Sequence, residues 1–163
     1  LAYVLKSDVD AVFFMDDWGS ARSLLISPAM WVEYFKPLYK EYVDLAHAHG
    51  KFALMHSDGY ILSIYPHLVE LGVDAINSQL FCMPIEEIGA RFKGKITFWG
   101  ELDRQHILPF GSPHEVQAAV QRLRAALWDD RGGVIGQCEI NKGYPMENLR
   151  AFFEAWWGSP EAA

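Results

Sequence analysis

With 163 residues, 51% of them hydrophobic and 14% aromatic, the chain is long enough for one domain with a sizeable core and too apolar to be disordered. Its 14 Lys and Arg stand against 21 Asp and Glu, a formal charge of −7 that argues against nucleic acid, whose phosphates want a basic stripe. The apolar runs fall far short of the ~20 residues of a membrane span, and with two cysteines, Cys82 and Cys138, and no signal peptide, a reducing cytoplasm is the expected compartment.

Strands and helices alternate along the chain. The first apolar, β-rich run covers residues 10–15 and leads into Asp16-Asp17-Trp18-Gly19. A helix is expected over 28–49, with Ser27 as its cap, Pro28 in its first turn and Gly50 at its end. Trp31, Phe35, Leu38, Tyr42 and Leu45 recur on it at helical spacing, and Pro37 should kink it. A second strand, 51–55, runs into His56-Ser57-Asp58-Gly59, and a short helix is expected over 60–71. A third strand, 73–77, is followed by Gln79 and a helix over 84–92.

The fourth strand, 95–99, leads to Glu101 and Asp103. Ser112-Pro113-His114-Glu115 then reads as a capping box, with Val116, Val120, Leu123 and Leu127 forming one apolar stripe behind it. The fifth strand, 133–136, precedes Cys138 and Glu139, and a last helix spans about 145–157. No linker or low-complexity segment breaks the series, so residues 1–163 are read as a single domain. The chain opens on Leu1 rather than Met, just ahead of a strand, and an N-terminal half is expected to be missing.

Strands alternating with helices imply parallel pairing by right-handed crossovers. Two α/β folds satisfy this, a doubly wound open sheet and a (β/α)₈ barrel of which five βα units are a part. The polar residues favour the barrel, because Asp16, Asp17, His56, Asp58, Asn77, Gln79, Glu101, Asp103 and Cys138 all follow the carboxyl ends of strands.

His56 and Asp58 stand two apart. If the strand continues through Ser57, both face one side, and Gly59 lets the chain turn. An imidazole and a carboxylate so placed can ligate a metal, exchange protons or anchor a polar substrate. A free cysteine is commonly a small buried hydrophobe, but Cys138 lies between Gln137 and Glu139, and a thiolate beside an imidazole suits zinc. Cys82 reads as structural. Glu101 and Asp103 share a side by the same two-residue rule. Asp17 either caps a turn or reaches inward.

At these residues the chain resembles the uroporphyrinogen decarboxylase superfamily, both the tetrapyrrole decarboxylases and the zinc-dependent methylcobamide:coenzyme M methyltransferase-like members. The resemblance covers nearly the whole chain, as the C-terminal half of the family. FMDDWGSARSLLISPAMWVEYFKPLYKEY, ITFWGELDRQHILPFGSPHEVQAAV and GYPMENLRAFFEA carry it. It implies the C-terminal part of a (β/α)₈ barrel. The methyltransferases have His-x-Cys-Gly at the second strand end and a later Cys, all three binding zinc. His56 and Cys138 match the first and third of these ligands, while Asp58 stands where the family has Cys. The decarboxylases have Asp-Gly there, which Asp58-Gly59 matches.

The resemblance thus implies a zinc-dependent enzyme moving a methyl group between a corrinoid and a thiol, with His56, Asp58 and Cys138 as ligands. Asp58 and Glu101 are the expected catalytic groups, and Asp16, Asp17, Trp18 and Asp103 the expected substrate contacts. A corrinoid protein or small molecule is the expected partner. The alternatives are cofactor-free decarboxylation of a tetrapyrrole and an inactive half-barrel whose open side is covered in a homodimer.

Overall fold

The computed structural model describes residues 1–158. Five strands, β1 (Ala11–Met15), β2 (Phe52–Ser57), β3 (Ala75–Ser78), β4 (Thr97–Glu101) and β5 (Val134–Gln137), form one wholly parallel sheet in the order 1-2-3-4-5. That order decides between the two folds. A doubly wound sheet reverses direction at a switch point, whereas here every crossover steps the same way. Right-handed connections then put all the helices on one face, and the sheet curls around the other. The curl is deep enough for the rings of Phe13 on β1 and Trp99 on β4 to stack at 5.2 Å, although two strands separate them. The chain is five βα units of a TIM-barrel-like fold.

The helices are α1 (Pro28–Met30), α2 (Lys36–Ala48), α3 (Tyr65–Leu71), α4 (Ile85–Phe92), α5 (Ile107–Phe110), α6 (Pro113–Leu127) and α7 (Met146–Trp157). Ser27 caps α1 by accepting from the Met30 N–H, and Ser112 and Glu115 close the capping box of α6. The stripe of α6 is buried as expected, Val116, Val120, Leu123 and Leu127 all lying in the core.

The first long helix differs from the expectation. Trp31–Phe35 forms a π-turn between α1 and α2, in which the Lys36 N–H bonds to the Trp31 carbonyl. Pro37 offers no N–H to the preceding turn and its ring would strike the carbonyl four residues back, so the wider turn takes up the proline without a break. A π-turn also adds one residue, which rotates everything after it. The buried side of α2 is therefore Tyr39, Val43 and Ala46, each one place beyond the expected Leu38, Tyr42 and Leu45. The helix expected over 60–71 begins only at Tyr65, with Pro66 in its first turn.

β2, β3, β4 and β5 each run past the residue where their apolar run was expected to stop, reaching Ser57, Ser78, Glu101 and Gln137. Polar residues end an apolar run in sequence, but the parallel ladder goes on through them to the barrel mouth. The core lies between the sheet's convex face and the helices, built on Met55, Ile76, Phe98, Tyr65, Ile88 and Phe152 among others. The concave face is more open: Phe13 is 40% exposed, Met15 69% and Ile135 44%. No helix among the described residues is long and apolar enough to cross a membrane.

Candidate functional site

The mouth of the sheet is organised by register. His56 on β2 is level with Asn77 on β3, which is level with Trp99 on β4. Ladder partners on one face lie side by side, so the His56 ring meets the Asn77 amide, with Nδ1 2.6 Å from Oδ1. The amide cannot be turned round, because its Nδ2 donates both to the Trp99 carbonyl at 3.0 Å and to Gln137 Oε1 at 2.7 Å. Asn77 Oδ1 can therefore only accept, and the network assigns the proton of His56 to Nδ1. In the neutral ring this leaves the lone pair of Nε2 facing the mouth, as a metal-binding imidazole requires.

Two carboxylates lie beside Nε2. Asp17 Oδ1 lies 3.3 Å from His56 Nε2 and Asp58 Oδ1 lies 3.6 Å from it. Among the described residues, Asp17, His56 and Asp58 are the group of His, Cys, Asp and Glu whose donor atoms all fall within 4.8 Å of one another. A zinc ion about 2.1 Å from each of its tetrahedral donors holds them roughly 3.4 Å apart, close to the two spacings from His56 Nε2. One nitrogen and two carboxylate oxygens also suit zinc chemically, and the residues present fit such an ion.

Asp17 reaches this place through an interlock of two loops. The Gly19 N–H donates to the Asp58 carbonyl at 3.2 Å, and the Tyr60 N–H donates to the Ser20 carbonyl at 2.7 Å. A Cβ on Gly19 would collide with the backbone of 58–60, and one on Gly59 with the backbone of 19 and 20. The two glycines are thus required by the close approach of backbones, and the approach brings Asp17 to the second loop, where its Oδ1 also accepts the Asp58 N–H at 2.9 Å.

The second oxygen of Asp58 is fixed from the other side. Arg104 donates to Asp58 Oδ2 at 2.6 Å and pairs with Glu139, and its Nη1 lies 3.5 Å from Glu101 Oε1. One guanidinium thereby ties together the loops after β2, β4 and β5. Burial works against its charge, but the bonds to Asp58 and Glu139 outweigh this and hold Arg104 above its ordinary range. Hydrogen bonds from Asn141 and then Arg104 hold Glu139 below the usual carboxylate range.

The other expected residues fall as follows. Glu101 is buried, and desolvation pushes its carboxyl up to about 7 against the pull of Arg104. It faces a cavity of about 390 Å³ beside the three-residue group. Asp103 borders the same cavity, and its Oδ1 caps a turn by accepting the N–H groups of Gln105 and His106. Asp16 and Trp18 engage the helix side: Tyr39 Oη accepts from Trp18 Nε1 at 2.9 Å and donates to Asp16 Oδ2 at 2.7 Å. Cys138 is not in that three-residue group. Gln137 points inward to Asn77, the alternation of a strand turns the next side chain away, and Cys138 packs against the core. Burial and then the nearby Glu101 push its thiol up to about 11, so it is protonated at neutral pH.

Asn77, Gln137 and Arg104 carried no assigned role in the sequence. Asn77 had a signal, a polar residue closing an apolar strand in register with His56. Arg104 had none, since Arg beside Asp reads as a local loop pair.

A methylated-thiol–coenzyme M methyltransferase of Methanosarcina mazei is 26% identical over 149 residues, which are 91% of this chain and 38% of that protein. A solved structure described as a methyltransferase from Methanosarcina mazei superposes with a TM-score of 0.66 at 15% identity, over 91% of this chain and 42% of that one. The chain spans less than half the length of either. The family model for uroporphyrinogen decarboxylase (URO-D) matches residues 1–157, nearly the full length, and the chain belongs to that family.

Proposed function

We propose that this chain supplies the metal-binding part of the active site of a methyltransferase that moves a methyl group between a corrinoid protein and a thiol. The observation that carries the reading is the convergence of Asp17, His56 and Asp58 on one point, with the His56 lone pair aimed there by Asn77. The relative at 26% identity, named for methyl transfer between thiols, supports the same reaction class.

In this reading the ligands are His56 and Asp58, as the sequence reading has them, with Asp17 in the place expected of Cys138. A zinc ion bound there supplies a Lewis acid that lowers the pKa of a thiol. Asn77 orients the imidazole and fixes its tautomer. Arg104 holds Asp58 by one oxygen so that the other stays turned to the group, and it offsets part of the negative charge that Asp58, Glu101 and Glu139 bring together.

Metal content of protein purified without chelators tests this. About one zinc per chain is expected, falling in Asp17→Ala, His56→Ala and Asp58→Ala and retained in Cys138→Ser. Protein without metal, or with a content that His56→Ala does not alter, would overturn the reading. Loss in Cys138→Ser with retention in Asp17→Ala would restore the sequence-based ligand set.

The second reading is decarboxylation of a tetrapyrrole without cofactor, favoured by the family's own description and by Asp58-Gly59. There Asp58 would accept pyrrole N–H groups. Carbon dioxide released from uroporphyrinogen by metal-free protein would decide for it.

A further inference from the structure

The cavity beside the three-residue group opens between the loops that follow β1, β3 and β4. Its volume, about 390 Å³, is at the small end for ligand sites and suits a small metabolite. The charged groups that line it are unequally committed. Arg104 is taken up by Asp58 and Glu139, and Asp103 by two backbone N–H groups and His106. Glu101 and Arg22 are different. Glu101 is a buried residue, its side chain 10% exposed, and its carboxyl makes no hydrogen bond among the described residues, with Arg104 as an ion-pair neighbour at 3.5 Å. Arg22 borders the cavity as an exposed residue, and its guanidinium has no hydrogen bond or ion pair among the described residues.

We propose that this cavity binds the non-reacting end of a small zwitterionic substrate, with its ammonium on Glu101 and its carboxylate on Arg22. That the substrate is also a thiol rests on the methyl-transfer reading above. The assignment follows from charge. Glu101 is desolvated and makes no hydrogen bond, and the one guanidinium beside it is shared with Asp58 and Glu139, so an ammonium donating to it supplies the hydrogen-bonded cation it lacks. An uncharged ligand would leave Glu101 without that cation and gain nothing from the exposed Arg22. A purely anionic ligand would gain Arg22 but face Glu101 and Asp103, with Asp58 and Glu139 just behind them. A zwitterion satisfies both groups at once, and a site built on paired polar groups discriminates strongly against a ligand that lacks one of them.

Calorimetric titration of the full-length, zinc-loaded protein with four small thiols tests the proposal: homocysteine (zwitterion), 2-aminoethanethiol (cation), 3-mercaptopropionate (anion) and 2-mercaptoethanol (neutral). Homocysteine should bind at least about tenfold more tightly than the anion or the neutral thiol. Glu101→Gln should abolish its advantage over the anion. Arg22→Gln, a change at an exposed side chain, should abolish its advantage over the cation. An anionic thiol that binds as tightly as homocysteine overturns the proposal, as does a preference that survives both substitutions. Homoserine, the same zwitterion without sulfur, separates this proposal from the metal reading. If it binds metal-free protein and needs Glu101 and Arg22, the cavity assignment stands although the methyl-transfer reading fails. If it binds neither metal-free nor zinc-loaded protein, the assignment falls even where zinc is present.

Discussion

Glu101 shows how one residue's surroundings become a measurable dependence on pH. Its carboxyl is raised from an ordinary value of 4.5 to about 7, chiefly by burial. The folded state therefore keeps a proton that the unfolded chain has released across that interval. The contribution of Glu101 to stability falls as pH rises from about 4.5 to about 7 and stays lower above it, by on the order of 3 kcal/mol at most. Glu101→Gln removes the titrating group at almost constant volume. In chelator-treated protein the variant should gain on the parent chain as pH rises, read from urea midpoints at pH 5 and pH 8. A difference between the two proteins that does not change with pH would show that Glu101 titrates normally. Such a shift is invisible in FWGELDRQH, where Glu101 looks like a loop carboxylate. It arises because β4 continues to Glu101 and places it behind the loops that carry Arg22 and Arg104.

At the scale of elements, local chemistry and tertiary packing divide the outcome. The start of α6 is a local matter: Ser112 and Glu115 satisfy one another's backbone N–H groups whatever the rest of the chain does. Ser112→Ala should cost about 1 kcal/mol of stability, seen as a lower denaturation midpoint with an unchanged slope. An unchanged midpoint would mean that the cap adds nothing beyond packing. Helix 28–48 is the opposite case. Its amphipathic spacing is plain in sequence, but the buried side moves by one residue at the π-turn, because Pro37 cannot close a regular turn and Trp31 must still reach the core. The interlock of the loops after β1 and β2 is likewise tertiary, and it is what brings Asp17 from a turn to the side of His56 and Asp58.

For the whole molecule, the decisive features are curvature and edges. Among the described residues β1 and β5 each pair on one side only, and the concave face between them carries Phe13, Met15 and Ile135 partly in the open. Unpaired strand edges and exposed apolar surface both drive association. The 163-residue chain in isolation should therefore self-associate, with Met15→Lys on the β1 edge reducing it. Sedimentation of a clean monomer at tens of micromolar would show that this face is already satisfied.

The order of strands and helices, the parallel pairing, the cap of α6 and the gathering of polar residues at strand ends were all present in the sequence, because each depends on neighbours a few positions apart. His56 and Asp58 were legible for the same reason: alternation along a strand is a local rule. The barrel was already favoured by the polar strand ends, whereas the place of Asp17, the absence of Cys138 from its group and the contacts of Asn77 and Arg104 were decided only in three dimensions. Each depends on how far the sheet curls and which loops cross, and those are set by the packing of the helix layer against the sheet rather than by any short stretch of residues.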